Sequence, residues 1–150
     1  MPIPPLELTG LLPPGIHDAT LDEIQVVFGS ANDTRTAIMA GLSELAMLVR
    51  AAIVIRELYI DGSFVTSKVV PGDVDVVAFF QPSDFLAFAM SPHAALLFNR
   101  GAVKSKYKVD LLLGPSMAGM VTFFQGLRPE RALELGVAAT HKKGILRVRL

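Results

Sequence analysis

The stretch Tyr59-Ile-Asp-Gly-Ser-Phe-Val-Thr-Ser-Lys-Val-Val-Pro-Gly-Asp-Val-Asp-Val-Val77 decides the reading of this chain. Two aspartates, Asp73 and Asp75, interrupt an otherwise apolar segment that reads as a strand, Asp73 to Phe80. Residues two apart on a strand project to one face, roughly 7 Å apart along the chain. Asp73 and Asp75 therefore point together, while Val74 and Val76 face the core. Two carboxylates on one face repel, and burying them is costly unless something compensates them. Magnesium takes oxygen ligands, usually one or two carboxylates plus substrate phosphates. A pair of such ions clamps the attacking and leaving oxygens of a phosphoryl transfer.

Outward from this stretch, Val54 to Ile60 reads as the preceding strand, with Arg56 outward, and Gly62-Ser63 directly follows it. A glycine there lets the backbone approach a ligand, and the serine hydroxyl is a further donor. Asp110 lies in "YKVDLLL", Tyr107 to Leu113, a third apolar strand carrying one charge. If that strand neighbours the second, Asp110 completes an acidic cluster. The plainer alternative makes Asp73 a strand cap after Pro71-Gly72 and pairs Asp75 and Asp110 with nearby Arg or Lys.

Residues 1–19, rich in proline, read as an extended arm lying on the domain, and 20–150 as one domain. Thr20 and Glu23 form a capping-box pattern for a short helix over Leu21 to Phe28. Ile38, Leu42, Leu45, Leu48 and Val49 recur at helical spacing between about Thr34 and Ala52. Pro82 to Asn99 shows no strong period. "SMAGMVTFFQG" (116–126) reads as a short apolar helix, and "KGILRVRL" (143–150) alternates as a last strand. Helices followed by strands joined through short helices give an α/β (α+β) class, with a mixed sheet of about four strands flanked by helices.

The 150 residues are 51% hydrophobic and 19% charged, which fits a compact domain. Fourteen basic residues cancel fourteen acidic ones, which argues against sequence-independent duplex binding. No cysteine is present, so disulfides and thiolate metal sites are excluded. Leu45 to Ile55 is the most apolar stretch, but it is short of the ~20 residues a membrane span needs and carries Arg50. A cytoplasmic protein without a membrane partner is the expectation.

The spacing Gly62-Ser63, then Asp73-x-Asp75 about ten residues later, then Asp110 on a later strand, resembles the signature of the nucleotidyltransferase superfamily that includes DNA polymerase beta and kanamycin nucleotidyltransferase. More closely, "LPPGIHDAT", "DGSFVTSK", "PGDVDVV" and the closing "FFQ…KKGILRVRL" resemble a family of small uncharacterised bacterial and phage proteins with that fold. The resemblance implies a minimal nucleotidyltransferase fold. It implies Mg²⁺ or Mn²⁺ held by Asp73, Asp75 and Asp110, with Asp110 also helping to activate a hydroxyl acceptor. It implies an NTP bound by Gly62 and Ser63. The turn of small antitoxin-type members is usually followed by an arginine; here Phe64-Val65-Thr66 follow, so Lys68 is the candidate for phosphate neutralisation. The implied activity is transfer of NMP from an NTP to a hydroxyl of a protein, an RNA or a small molecule. Because 150 residues leave little room for an acceptor-holding domain, a partner protein or a homodimer would supply that surface. The alternative is a non-catalytic nucleotide- or protein-binding module, such as an antitoxin or phage-defence component.

Lys104, Lys106 and Lys108 alternate and, on an extended segment, would share a face toward phosphate; a solvated face is the plainer reading. His17 reads as packing the arm. His93 and His141 lack ligand spacing for zinc. Phe79-Phe80 and Phe123-Phe124 read as core and edge packing.

Overall fold

The structure, a computed structural model, describes residues 3–52, 55–115, 133, 136 and 143–150. The elements in chain order are β1 (Gly15–Asp18), α1 (Leu21–Phe28), α2 (Asp33–Ala51), β2 (Glu57–Asp61), β3 (Val74–Phe80), α3 (Phe85–Ala89), α4 (Ala94–Leu97), α5 (Arg100–Tyr107), β4 (Val109–Pro115) and β5 (Gly144–Arg149). A 3-10 turn, Ser63–Val65, follows β2.

The five strands form one mixed sheet in the order β1-β5-β2-β3-β4. β2 runs antiparallel to both β3 and β5, while β1 with β5 and β3 with β4 are parallel. The α/β class and the mixed sheet flanked by helices agree with the sequence. The fifth strand comes from the arm: Gly15–Asp18 joins the edge of the sheet beside β5, so this part of the arm is an element of the domain. His17 does pack the arm, its Nε2 lying 2.7 Å from the carbonyl oxygen of Pro13. The 116–126 helix expected from sequence and Phe123-Phe124 lie outside the described residues.

Alternation sorts the strands into two faces. Leu58, Ile60, Val74, Val76, Ala78, Val109, Leu111, Leu146 and Val148 are buried in one core with Ile38, Leu42, Leu45 and Val49 of α2. Both bonds of the Thr20–Glu23 capping box are present at the start of α1. Asn32 caps α2, its Oδ1 accepting from the Arg35 amide at 2.9 Å. Phe80 lies at the end of β3 against Phe85, Phe88 and Phe98, a satellite cluster beneath the short helices.

The lysine run differs from the extended reading. Asn99 Oδ1 caps α5 through the amide of Ala102, and Val103 and Tyr107 bury one face of that helix. On a helix, alternate residues diverge. Lys104 turns toward Asp73, Lys106 lies over the Tyr107 ring, and Lys108 is a left-handed cap at φ 58°. The third strand accordingly begins at Val109 rather than at Tyr107.

Gly41 sets how closely α5 approaches α2. A glycine inside a helix costs about 1 kcal/mol relative to alanine. Here a Cβ would stand 1.8 Å from the carbonyl oxygen of Tyr107. Gly41→Ala is expected to destabilise the fold by about 1–3 kcal/mol despite its better helix propensity, read from the urea midpoint. An unchanged or raised midpoint would show that the two helices do not meet there.

Candidate functional site

β2 ends, β3 begins and β4 begins at one place in the sheet. The register makes Asp61 the Cα partner of Asp75, and Asp75 the Cα partner of Asp110. Three carboxylates thus stand in one row across three strands, on the face opposite the core valines, with Asp73 one strand step before Asp75. The sequence-predicted trio comes together: Asp73, Asp75 and Asp110 each offer an oxygen, and these atoms lie within 4.8 Å of one another.

Basic side chains surround the row. Arg100 holds Asp110 with two bonds, Nε to Oδ1 at 2.5 Å and Nη2 to Oδ2 at 2.9 Å. Lys104, one helical turn along α5, reaches Asp73 at 3.0 Å. Lys143, just before β5, reaches Asp61 at 3.0 Å. Asp75 sits between these pairs and, among the described residues, has no ion pair of its own. Of the plainer alternative, the pairing with a basic neighbour is met at Asp110 and not, among the described residues, at Asp75. Asp73, expected as a strand cap, stands just before β3 and pairs with Lys104.

The electrostatics follow this arrangement. The Arg100 guanidinium holds the Asp110 carboxyl below the usual range. Burial, then the charges of Asp73, Asp61 and Asp110, push Asp75 up to about 6. Burial also raises Asp61, outweighing Lys143. Such a donor set, all carboxylate oxygen, fits a hard divalent cation such as Mg²⁺ or Mn²⁺.

Gly62 lies against this cluster. Its φ is +86°, and a Cβ would approach Asp75 Oδ2 to 2.8 Å, so both backbone and space call for glycine. Ser63 opens the 3-10 turn beyond it. Lys68 lies exposed further along the loop, and among the described residues its ammonium makes no ion pair. Two residues of this region were missed in the sequence. Asp61 was visible as a charge closing an apolar strand directly before Gly-Ser, although its place opposite Asp75 depends on the hairpin register. Arg35 was visible as a charge on the buried face of α2, three residues before Ile38. It donates to the carbonyls of Phe28, Phe64, Thr66 and Lys68.

A family model matches residues 4–149, and the chain belongs to that family, a family of unknown function (DUF6932). No curated protein matches it. Among solved structures it is similar to the crystal structure of a "putative nucleotidyltransferase" from Sulfolobus solfataricus, at 17% identity and a TM-score of 0.38, over 65% of this chain and 85% of that one. Among the described residues no helix is long and apolar enough to cross a membrane.

Two predictions follow from the crowded carboxylates. A carboxyl whose folded pKa is raised is favourable to folding while protonated. That contribution is complete below the unfolded value near 3.8 and is lost as pH rises through about 6. In metal-free protein, Asp75→Asn is expected to stabilise at pH 7 by about 1 kcal/mol after solvent screening. The gain should vanish below pH 4, as read from paired denaturation curves; equal gains at both pH values would contradict the repulsion. Millimolar Mn²⁺ is expected to raise the melting temperature of wild type and not of Asp75→Asn or Asp110→Asn. Equal shifts in all three would place the ion elsewhere.

Proposed function

We propose that the protein is a divalent-metal-dependent nucleotidyltransferase, moving NMP from an NTP to a hydroxyl acceptor. The observation that carries this reading is the convergence of Asp73, Asp75 and Asp110 to within 4.8 Å beside the Gly62-Ser63 turn. Asp73, Asp75 and Asp110 would hold the metal, which when bound supplies charge neutralisation for the phosphates and the leaving group. Gly62 and Ser63 bind the triphosphate, Gly62 by letting the backbone approach it and Ser63 through its main-chain N–H and hydroxyl, and Lys68 closes on its outer oxygens. Asp110 orients the acceptor hydroxyl and receives its hydrogen bond. The acceptor oxygen forms a bond to the α-phosphorus, the bond from that phosphorus to the bridging oxygen breaks, and pyrophosphate leaves with the electron pair. The hydroxyl proton passes by way of Asp110 to solvent. Positioning and fixed charge do most of this work. The acceptor is a macromolecule or small molecule brought by a partner or a second copy of the chain.

The second reading, a non-catalytic nucleotide- or protein-binding module such as an antitoxin or phage-defence component, is favoured by the ion pairs of Asp73 and Asp110 with α5. Incubation with each NTP labelled on the α-phosphate, Mg²⁺ or Mn²⁺, and cell extract separates the two. The expected result is label on an acceptor with wild type and a loss of 100-fold or more with Asp75→Asn. No labelling by wild type with any NTP, together with an NTP-dependent thermal shift, would replace transfer with binding.

A further inference from the structure

Arg35 is 4% exposed, on the face of α2 that otherwise buries Ile38, Leu42 and Leu45. A buried guanidinium is costly unless its donors are used. Here Nη1 donates to the carbonyls of Phe28 at 3.0 Å and Phe64 at 2.7 Å. Nη2 donates to those of Thr66 at 2.9 Å and Lys68 at 2.5 Å. Four Nη hydrogens meet four main-chain carbonyls. Among the described residues no carboxylate pairs with Arg35; its charge meets these carbonyl dipoles and the face of the Phe64 ring, 5.4 Å away.

Three of those carbonyls belong to the loop that follows Gly62. The same loop is held at other points. Asn32 Nδ2 donates to the carbonyl of Val69 at 2.8 Å. The Ser67 amide donates to the carbonyl of Gly10, in the arm, at 3.0 Å. Inside the loop, Val65 and Thr66 donate their amides to the carbonyls of Gly62 and Ser63. The amide and the hydroxyl of Ser63, which is part-exposed, remain, whereas Phe64 is fully buried. Among the described residues neither of these two Ser63 donors has a hydrogen-bond acceptor. A connecting turn does not need a buried cation to fix every second carbonyl. A loop that receives an anion gains twice from one, because its donors are preset and a positive charge stands behind them.

We infer that Arg35 is the positioning residue of a polyphosphate-binding loop, residues 62–68. It fixes the main chain around Ser63, whose amide and hydroxyl have no acceptor among the described residues, and its charge favours the anion they receive. The inference deepens the nucleotidyl-transfer reading and rests on it for the identity of the anion.

The test uses the full chain with inorganic tripolyphosphate as the probe, which engages the loop without a base or a transferable group. Mn²⁺ affinity by electron paramagnetic resonance, tripolyphosphate affinity by calorimetry in the presence of Mn²⁺, and amide exchange are compared in wild type, Arg35→Met and Arg35→Lys. Variants that melt cooperatively are expected to keep Mn²⁺ affinity within twofold of wild type. They should lose tenfold or more in tripolyphosphate affinity and exchange the 63–68 amides faster. Where Arg35→Met does not fold, Arg35→Lys, which keeps the charge and most of the stem, carries the same comparison. Tripolyphosphate affinity within twofold of wild type in a folded variant would reduce Arg35 to a purely structural role. Wild type that labels an acceptor but takes up no tripolyphosphate would overturn the loop assignment and leave transfer standing. Arg35-dependent tripolyphosphate binding without labelling by any NTP would support this inference and remove transfer.

Discussion

Four carboxylates gathered where three strands meet set the terms for the rest of this fold. Neighbouring strands lie about 4.8 Å apart, so two charges in one row repel by roughly 3 kcal/mol at an effective dielectric of 20. The register that aligns Asp61, Asp75 and Asp110 would slip if charge alone governed it. It does not slip, because the other face of the same strands carries Ile60, Val74, Val76 and Val109, all fully buried. A shift of one residue would turn those side chains to solvent and the aspartates into the core. Burying each such side chain stabilises by about 1.5–3 kcal/mol, so several together outweigh the repulsion. The apolar face holds the acidic face in place.

Compensation of that charge then explains elements that have little to do with the core. α5 places Arg100 and Lys104 four residues apart, hence on one side of the helix, against Asp110 and Asp73. β5 is preceded by Lys143, which meets Asp61. Gly41 allows α5 to lie close enough for this, and Gly62 leaves the space that the Asp75 carboxylate fills. A different cation, Arg35, lies under the neighbouring loop and meets carbonyls instead of carboxylates. Negative charge is thus concentrated at the strand ends, and positive charge stands behind the loop beside them.

What the sequence disclosed and what it hid divide along the range of the interactions. The Thr20–Glu23 box, the α2 periodicity and the apolar alternation around Asp73 and Asp75 are local patterns, and they read correctly. Asp110 could be joined to them because an isolated charge in an apolar strand is conspicuous wherever the strand lies. β1 was read as arm because its pairing is with β5, and Asp18 meets Arg147 from 129 residues away. The alternation of Lys104, Lys106 and Lys108 suggested an extended chain, yet the Asn99 cap and the buried spacing of Val103 and Tyr107 make the segment helical. Asp61 and Arg35 were hidden by the same cause: each charge acquires its meaning from a partner set by tertiary register. The residues assigned to metal and nucleotide are a proposal supported by the convergence of Asp73, Asp75 and Asp110 beside Gly62.

The ion pairs at the site do not oppose the proposed metal chemistry, because they differ in how readily they exchange. Arg100 and Lys104 have side chains 60% and 55% exposed. Exposed pairs of this kind contribute little, since water solvates the basic partner nearly as well. The pair of Lys143 and Asp61 is closed in, at 19% and 6% exposure, and breaking a buried pair is far costlier. The replaceable cations therefore sit on Asp110 and Asp73, two of the three carboxylates that would take a metal, and the durable one sits on Asp61, outside that trio. Asp75, between them, has no ion pair to give up among the described residues. In the proposed reaction, a divalent ion would displace two weak surface contacts while the Asp61 pair kept the end of β2 in register. The two basic groups released on α5 would then stand at the rim of the site, where an incoming polyphosphate carries the charge they had been answering.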